Sequence, residues 1–165
     1  MKSRVGFGFD VHAFGTETPL VLGGVTIEGV PKLAGHSDGD AVAHATAEAL
    51  LGPAGLPDLG TLFPASDERY RDADSMELLA EVAQRVARHG WWLENVDVVI
   101  AAETPRLAPH VEAMAANLGS ALSRLREPMG HGIGVSVRPK HGEGLGAIGR
   151  AEGIAVWAVA LLSGG

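Results

Sequence analysis

The chain contains no cysteine. Disulfides and thiolate metal sites are therefore excluded, and the composition suits a reducing compartment such as the cytoplasm. A long apolar run is missing too. The longest stretches from Gly153 to Leu162, well short of the roughly 18 residues that span a bilayer, so a soluble protein without a membrane partner is expected. Basic residues are not in excess: 13 Lys and Arg stand against 20 Asp and Glu, a formal net charge of −7. Phosphate backbones are bound through surplus Lys and Arg on one face, so no nucleic-acid partner is expected. An anionic ligand would need local positive charge from a bound cation, a helix N-terminus or one or two basic residues. Nor does the start read as a signal peptide. Asp10 interrupts what would be its apolar core in MKSRVGFGFDV, and the chain is expected to begin at its mature N-terminus.

What is present fits one domain over residues 1–165, enough to bury about two-thirds of the surface that the unfolded chain exposes. Arg4 to Val11 reads as a strand, and the Gly-Gly-punctuated Leu20 to Ile27 as a second strand region, together suggesting a hairpin-like start. Val42, Ala45 and Ala49 recur at helical spacing between Asp38 and Leu51, with Ser37 as expected N-cap and Gly52-Pro53 closing the helix. GPAGLPDLGTLFPAS is too rich in Gly and Pro for a regular element and forms the longest loop. Asp74 and Glu77 have capping-box spacing ahead of Met76, Leu79, Val82, Ala83 and Val86, and Gly90 follows the last turn. WWLENVDVVIAAE is predicted as a strand, Pro109 to Leu125 as a third helix and GIGVSVRP as a strand. The final GIAVWAVALL is apolar on both faces, so its own helices must cover one side and something else the other. The pattern predicts an α+β (mixed α/β) fold, a two-layer sandwich of a mixed sheet with helices on one face.

GFDVHAFG places Asp10 and His12 two positions apart in a strand. Such residues project on the same side, and their donor atoms can converge on one ion. His44, on the helix after GHSDGD, is the candidate third ligand. One Asp and two His leave a tetrahedral position open for a substrate oxygen, the arrangement of a catalytic zinc. The plain alternative is that His12 bonds a backbone carbonyl while Asp10 caps a turn. His36 and Ser37 stand at the helix threshold, where unpaired amides bind phosphate oxygens; Ser37 as a simple cap is the other reading. Gly144-Leu145-Gly146-Ala147-Ile148-Gly149 matches a dinucleotide-binding fingerprint, but the chain ends before a βαβ unit could be completed, and that match is rejected. A backbone-exposed loop remains, flanked by Lys140, His141 and Arg150 with Glu143 inside it. It suits a phosphate chain with a hard cation, or is a hairpin loop with solvated charges. His89 reads as a cation at a helix C-terminus, and Trp91 and Trp92 as packing residues.

GFDVHAFG, LGG, HSDGDAVAHA, DLGTLFP, DADS, NVDVVI, PRLAPH and LGAIGRAEGIA, in this order and spacing from Arg4 to Leu162, resemble the 2-C-methyl-D-erythritol 2,4-cyclodiphosphate synthase family. The resemblance implies a homotrimeric α/β lyase of the non-mevalonate isoprenoid route that converts 4-diphosphocytidyl-2-C-methyl-D-erythritol 2-phosphate into the cyclic diphosphate and CMP. It implies that Asp10, His12 and His44 hold a divalent metal, usually zinc, and that Glu143 holds a second cation, magnesium or manganese. His36 would stabilise the transition state, with Ser37 contacting substrate beside it. Asp58, Leu59 and Gly60 together with Phe63, Pro64, Ala65, Ser66 and Asp67 match the loop gripping the methylerythritol phosphate. Ala102, Glu103, Thr104, Pro105, Arg106, Leu107 and Ala108 match a cytidine pocket supplied by the neighbouring subunit, together with Arg150 and Lys140, His141, Gly142 and Glu143.

The sequence also departs from that family. Lys140-His141-Gly142 stands where a Thr-rich run is typical, so the catalytic hydroxyl is replaced at His141, for which an imidazolium or the Lys140 ammonium could substitute. Ala147 replaces a frequent aromatic residue and Ala65 a common acidic one. From the residue pattern alone, the competing reading is a metal-dependent phosphohydrolase or phosphodiesterase.

Overall fold

The computed structural model describes residues 2–35, 37–70, 72–126 and 132–164. A four-stranded sheet runs in the order β1-β6-β4-β5, from β1 (Lys2–Ala13), β4 (Trp91–Ala101), β5 (Gly134–Lys140) and β6 (Gly153–Gly164). β6 is antiparallel to both neighbours, and β4 and β5 are parallel, so the sheet is mixed as expected. The hairpin-like start is corrected. β1 pairs with β6 along its whole length, and the Gly-Gly segment makes its own hairpin of β2 (Leu20–Leu22) and β3 (Val25–Ile27). Adjacency in sequence suggests that hairpin, but the apolar C-terminal strand is the better partner for β1.

The helices lie on one face. They are α1 (Ala41–Ala54), the single turn α2 (Leu59–Leu62), α3 (Ser75–Arg88), α4 (Val111–Ala121) and the single turn α5 (Gly146–Gly149). α1 begins three residues later than expected, capped by Asp40 rather than Ser37, and it passes through Pro53 to end at Gly55. The Asp40 carboxylate is fully buried and accepts from the backbone N–H groups of Val42 and Ala43 and from those of Gly23 and Gly24 in the β2–β3 turn. A cap shared with a distant turn outcompetes the nearer serine. Asp74 caps α3 as expected, and His89 ends it with Nδ1 bonded to the Arg85 carbonyl. The third helix is shorter than predicted, flanked by 3-10 turns at Ala108–His110 and Leu122–Leu125. Among the described residues no helix is long and apolar enough to cross a membrane.

One side of β1 fits α1 at close range. Arg4 Nη1 donates to the Pro53 carbonyl at 2.7 Å, and a Cβ on Gly6 or Gly8 would lie 1.9 Å from the carbonyl oxygens of Ala49 and Ala45 respectively. Two strand residues advance about 6.6 Å and four helix residues about 6 Å, so the two repeats stay in step over this length. Only glycine allows the approach. The inward face of the sheet packs Ile154, Val156, Ala158, Ala160 and Leu162 of β6 and Val96, Val98 and Ile100 of β4 against the helices. The outward face is apolar and open: Val5 is 70% exposed, Phe7 63% and Val159 43%. Phe9 stacks beside Trp157 there, ring centroids 5.5 Å apart. The last strand is thus covered on one side within the chain.

Gly8→Ala is expected to lower stability by about 1–3 kcal/mol or more through backbone overpacking, whereas Gly119→Ala within α4, where a Cβ meets nothing within 4 Å, should stabilise by up to about 1 kcal/mol. Chemical denaturation of the two variants checks the contrast.

Candidate metal centre and the clefts around it

Beyond Gly8 the same side of β1 carries Asp10 and His12. A helical side chain leans toward its N-terminus, and His44, in the first turn of α1, leans to the level of Asp10. A helix starting at Asp38 would put His44 in the second turn; the start at Ala41 puts it in the first. Asp10 Oδ2 lies 3.1 Å from His12 Nε2 and 3.1 Å from His44 Nδ1. One ligand atom from each of the three residues lies within 4.8 Å of the others, a group able to hold a metal ion.

The second nitrogen of each imidazole decides what the first can do. His12 Nδ1 lies 2.6 Å from the Ala34 carbonyl, an acceptor only, so Nδ1 carries the proton and Nε2 presents its lone pair to Asp10. The carbonyl contact weighed as an alternative to metal binding is therefore what aims the ring. His44 Nε2 contacts Ser75 Oγ at 2.9 Å and Ser37 Oγ at 3.2 Å, leaving Nδ1 toward Asp10. Two imidazole nitrogens and a carboxylate thus face one another, an arrangement suited to a cation between them. Without a metal a proton takes that place. Burial opposes ionisation of Asp10, but hydrogen bonds and charge from His12 and His44 outweigh it and hold the carboxyl at about 2. The hydrogen bond to Asp10 raises His12 above its usual 6.5, against the smaller opposing effect of burial.

A cleft of about 300 Å³ opens beside these residues, lined by His12, Ser37, His44, Leu59, Gly60, Phe63, Ala65, Tyr70 and Leu78. It brings the expected loop residues Leu59, Gly60, Phe63 and Ala65 to the triad. Glu48 Oε1 pins this loop to α1 by accepting from Leu59 N at 2.8 Å, and Phe63 packs edge-on against Tyr70. Asp58 caps α2, Asp67 pairs with Arg69, Pro64 closes the intervening turn and Ser66 is exposed. His36 lies outside the described residues. A larger, shallower depression of about 610 Å³ lies elsewhere, lined by Val21, Asp38, Asp72, Asp74, Glu77 and Asn117 among others. It lacks the triad, and its acidic wall suits an anionic ligand poorly.

The other expected contacts are not beside the triad within this chain. Ala102 to Ala108 follows β4 and Lys140 to Glu143 starts at the last residue of β5, the two joined by Gly142 N donating to Glu103 Oε2 at 3.0 Å and Ala102 N donating to the Lys140 carbonyl at 2.9 Å. In this segment Ala102 and Leu107 are buried, Glu103 and Pro105 half-buried, and Thr104, Arg106 and Ala108 exposed. His141, Glu143 and Ala147 are exposed, and Arg150 pairs with Glu152. Glu143 is not part of the triad's group. Sheet register puts Lys140 opposite Ala101, Ala101 opposite Ala155, and Ile154 opposite His12. Both clusters therefore sit at the same end of the sheet but on opposite edges, about 14 Å apart across three strand spacings. Two residues that the sequence reading did not place near the metal adjoin the triad, Ser75 and Asp38. DADS and HSDGD contain them, but a separation of 37 positions hid their contact.

Fold and site together define a mixed α/β domain with a possible Asp-His-His metal site beside a loop-walled cleft. The chain belongs to the YgbB family, whose pattern matches residues 3–163. A relative from Bordetella avium named 2-C-methyl-D-erythritol 2,4-cyclodiphosphate synthase is 47% identical over 97% of this chain and 95% of its own. One of the same name from Moorella thermoacetica is 49% identical over 96% and 94%. Among solved structures, the bifunctional IspDF from Campylobacter jejuni matches with TM-score 0.89 and 38% identity, covering 99% of this chain and 43% of that one. A 2C-methyl-D-erythritol-2,4-cyclodiphosphate synthase in a CDP-bound form matches with TM-score 0.81 and 34% identity over 97% and 100%.

A metal must displace the His12 proton, so its binding weakens as pH falls through the raised value of that group. The metal-free Asp10–His12 pair contributes stability above the ordinary carboxylate range and below 6.5; it is lost as pH rises through the raised His12 value, and as pH falls toward 2. The rise in Tm on adding zinc is accordingly expected to be larger at pH 8 than at pH 5, measured by thermal scans with and without the ion.

Proposed function

We propose that the chain is a phosphorus–oxygen lyase that converts 4-diphosphocytidyl-2-C-methyl-D-erythritol 2-phosphate into 2-C-methyl-D-erythritol 2,4-cyclodiphosphate and CMP, in the non-mevalonate route to isoprenoid precursors. The observation that carries this reading is the convergence of Asp10 with His12 Nε2 and His44 Nδ1 in a chain of this family. An oxygen of the substrate's 2-phosphate attacks the β-phosphorus, forming the ring-closing P–O bond. The bond from that phosphorus to the oxygen bridging to the α-phosphate breaks, and its electron pair leaves with CMP. No water is consumed.

Asp10, His12 and His44 would hold zinc, since one carboxylate and two imidazoles with an open position suit that ion. When bound it supplies positive charge that neutralises and polarises the phosphates, as would magnesium or manganese at Glu143. The protein folds the substrate back so that its two phosphates meet, and proximity is much of the catalysis. Leu59, Gly60, Phe63 and Ala65 wall the methylerythritol part against water, with Asp58, Pro64, Ser66 and Asp67 shaping the loop that carries them. Ser37 and His36 address the phosphates. Ala102 to Ala108, with Arg150, Ala147 and Lys140 to Glu143, take the cytidine and its phosphates, His141 or Lys140 standing in for the family's threonine.

A homotrimer completes the site in this reading. The cytidine-side cluster and the triad lie on opposite edges of one sheet, so an active centre forms when the β5 edge of one chain meets the β1 edge of the next. The open apolar face of β1 and β6 would be covered in the same assembly. One domain of residues 1–165 per subunit, located in the cytoplasm, is consistent with the cysteine-free composition.

Incubating the protein with the cytidyl substrate and both metals, then resolving products by phosphorus NMR, is expected to give CMP and the cyclic diphosphate in equal amounts, with none formed in excess chelator. Inorganic phosphate or a ring-opened product would instead indicate hydrolysis. His141→Ala combined with Lys140→Ala is expected to lower kcat about 100-fold or more, the size of a lost charge-stabilising donor; wild-type turnover would remove both from the mechanism.

A further inference from the structure

His44 is served by two hydroxyls, and they are not equivalent. Ser75 Oγ, 2.9 Å from His44 Nε2, belongs to a residue only 1% exposed. Asp38 grips that residue at two points: its Oδ1 accepts from Ser75 Oγ–H, and its Oδ2 accepts from Ser75 N–H at 3.0 Å. Because the Ser75 proton is committed to a carboxylate, which can only accept, Ser75 Oγ can meet His44 Nε2 only as an acceptor. The proton of His44 must then sit on Nε2. Ser37 Oγ is farther from the ring at 3.2 Å and also accepts from Gly39 N.

We propose that Asp38 and Ser75 form a positioning relay, Asp38 carboxylate to Ser75 hydroxyl to His44 imidazole, that fixes the ring with its Nδ1 lone pair toward Asp10 and the metal. This rests on the metal reading of the site given above and adds to it two residues that touch neither metal nor substrate. The relay accounts for the asymmetry of the two histidines. His12 is fixed by the backbone carbonyl of Ala34, 22 positions along the chain, and needs no side chain. His44 sits on a helix whose first-turn carbonyls are engaged along the helix axis, and its outer nitrogen can be held only from another element, here the first residue of α3. The relay also joins the two helices: the Asp38 clasp on Ser75 N occupies one of the free amides of α3, so the N-terminus of α3 and the metal ligand on α1 are set by one carboxylate. Ser37 Oγ also lies 3.4 Å from Ser75 Oγ, so its hydroxyl adjoins the relay without carrying it.

The test uses the full chain and zinc alone. Competition with a chromophoric chelator should show Ser75→Ala and Asp38→Asn binding zinc roughly 10- to 100-fold more weakly than wild type, the usual cost of losing an outer-shell partner. Ser75→Thr, which keeps the hydroxyl, should bind within a few-fold of wild type. Nitrogen-15 NMR of the metal-free protein should find the His44 proton on Nε2 in wild type and redistributed toward Nδ1 in Ser75→Ala, a change that loosened packing alone would not produce. Folding of each variant is checked by its metal-free Tm, and if Ser75→Ala does not fold, Asp38→Asn carries the same comparison. Zinc affinity and tautomer unchanged in both Ser75→Ala and Asp38→Asn would overturn the relay while leaving the metal site standing. No zinc on wild type would overturn the metal reading itself, and the relay with it.

Discussion

Everything in this structure that bears on chemistry depends on how closely α1 lies on β1. At Gly6 and Gly8 the helix carbonyls of Ala49 and Ala45 occupy the space where a side chain would begin, so backbone rests on backbone. The matched advance of two strand residues per four helix residues holds that contact in register from Arg4 to Asp10. At the far end the strand stops carrying glycine and starts carrying ligands. Asp10 and His12 emerge where α1 has just begun, and the lean of His44 toward the helix N-terminus delivers the third donor. Asp40 sets where α1 begins, and its carboxylate ties that start to the β2–β3 turn. The triad is thus the terminus of a packing interaction rather than a feature of any one loop.

The same geometry explains why the triad and the Ala102 to Ala108 and Lys140 to Glu143 segments lie apart within one chain. Sheet order puts β1 at one edge and β5 at the other, while their registers bring Asp10 and Lys140 to the same end. The triad with its cleft therefore belongs to one edge and the Ala102 to Ala108 and Lys140 to Glu143 segments to the opposite one. Edge strands and an apolar outward face both invite association. On that outward face Asp97 is held below the usual carboxylate range by its hydrogen bonds from Ser136 and Arg138, a polar cluster beside an otherwise apolar surface. In a chain of negative net charge, a cation held by the triad would reverse the local sign and so favour a substrate with several phosphates.

How much of this was legible in the sequence follows from the range of each interaction. Asp10 and His12 could be read because strand alternation is local, and the Asp74 cap because it sits beside its own helix. The cap of α1 was misassigned because HSDGD offers Ser37, Asp38 and Asp40 within four positions, and what selected Asp40 was a turn some 16 residues away. The pairing of β1 with β6 joins the two ends of the chain, beyond anything that spacing shows. The role of Ser75 was invisible for the same reason, since a buried serine next to a capping aspartate looks like part of a helix start until Asp38 and His44 are found against it. The assignment of Ala102 to Ala108 and Lys140 to Glu143 to a cytidine pocket rests on family resemblance alone, as their spacing carries no chemistry by itself.

The account stands on one proposition, that Asp10, His12 and His44 hold a single divalent ion through an oxygen and two nitrogens already set by their outer partners. Anomalous diffraction at the zinc edge from crystals grown with zinc tests it most directly. One peak per chain is expected, bonded to the Asp10 carboxylate, His12 Nε2 and His44 Nδ1. No peak among these three side chains, or an ion bound through the other nitrogen of either ring, would contradict it.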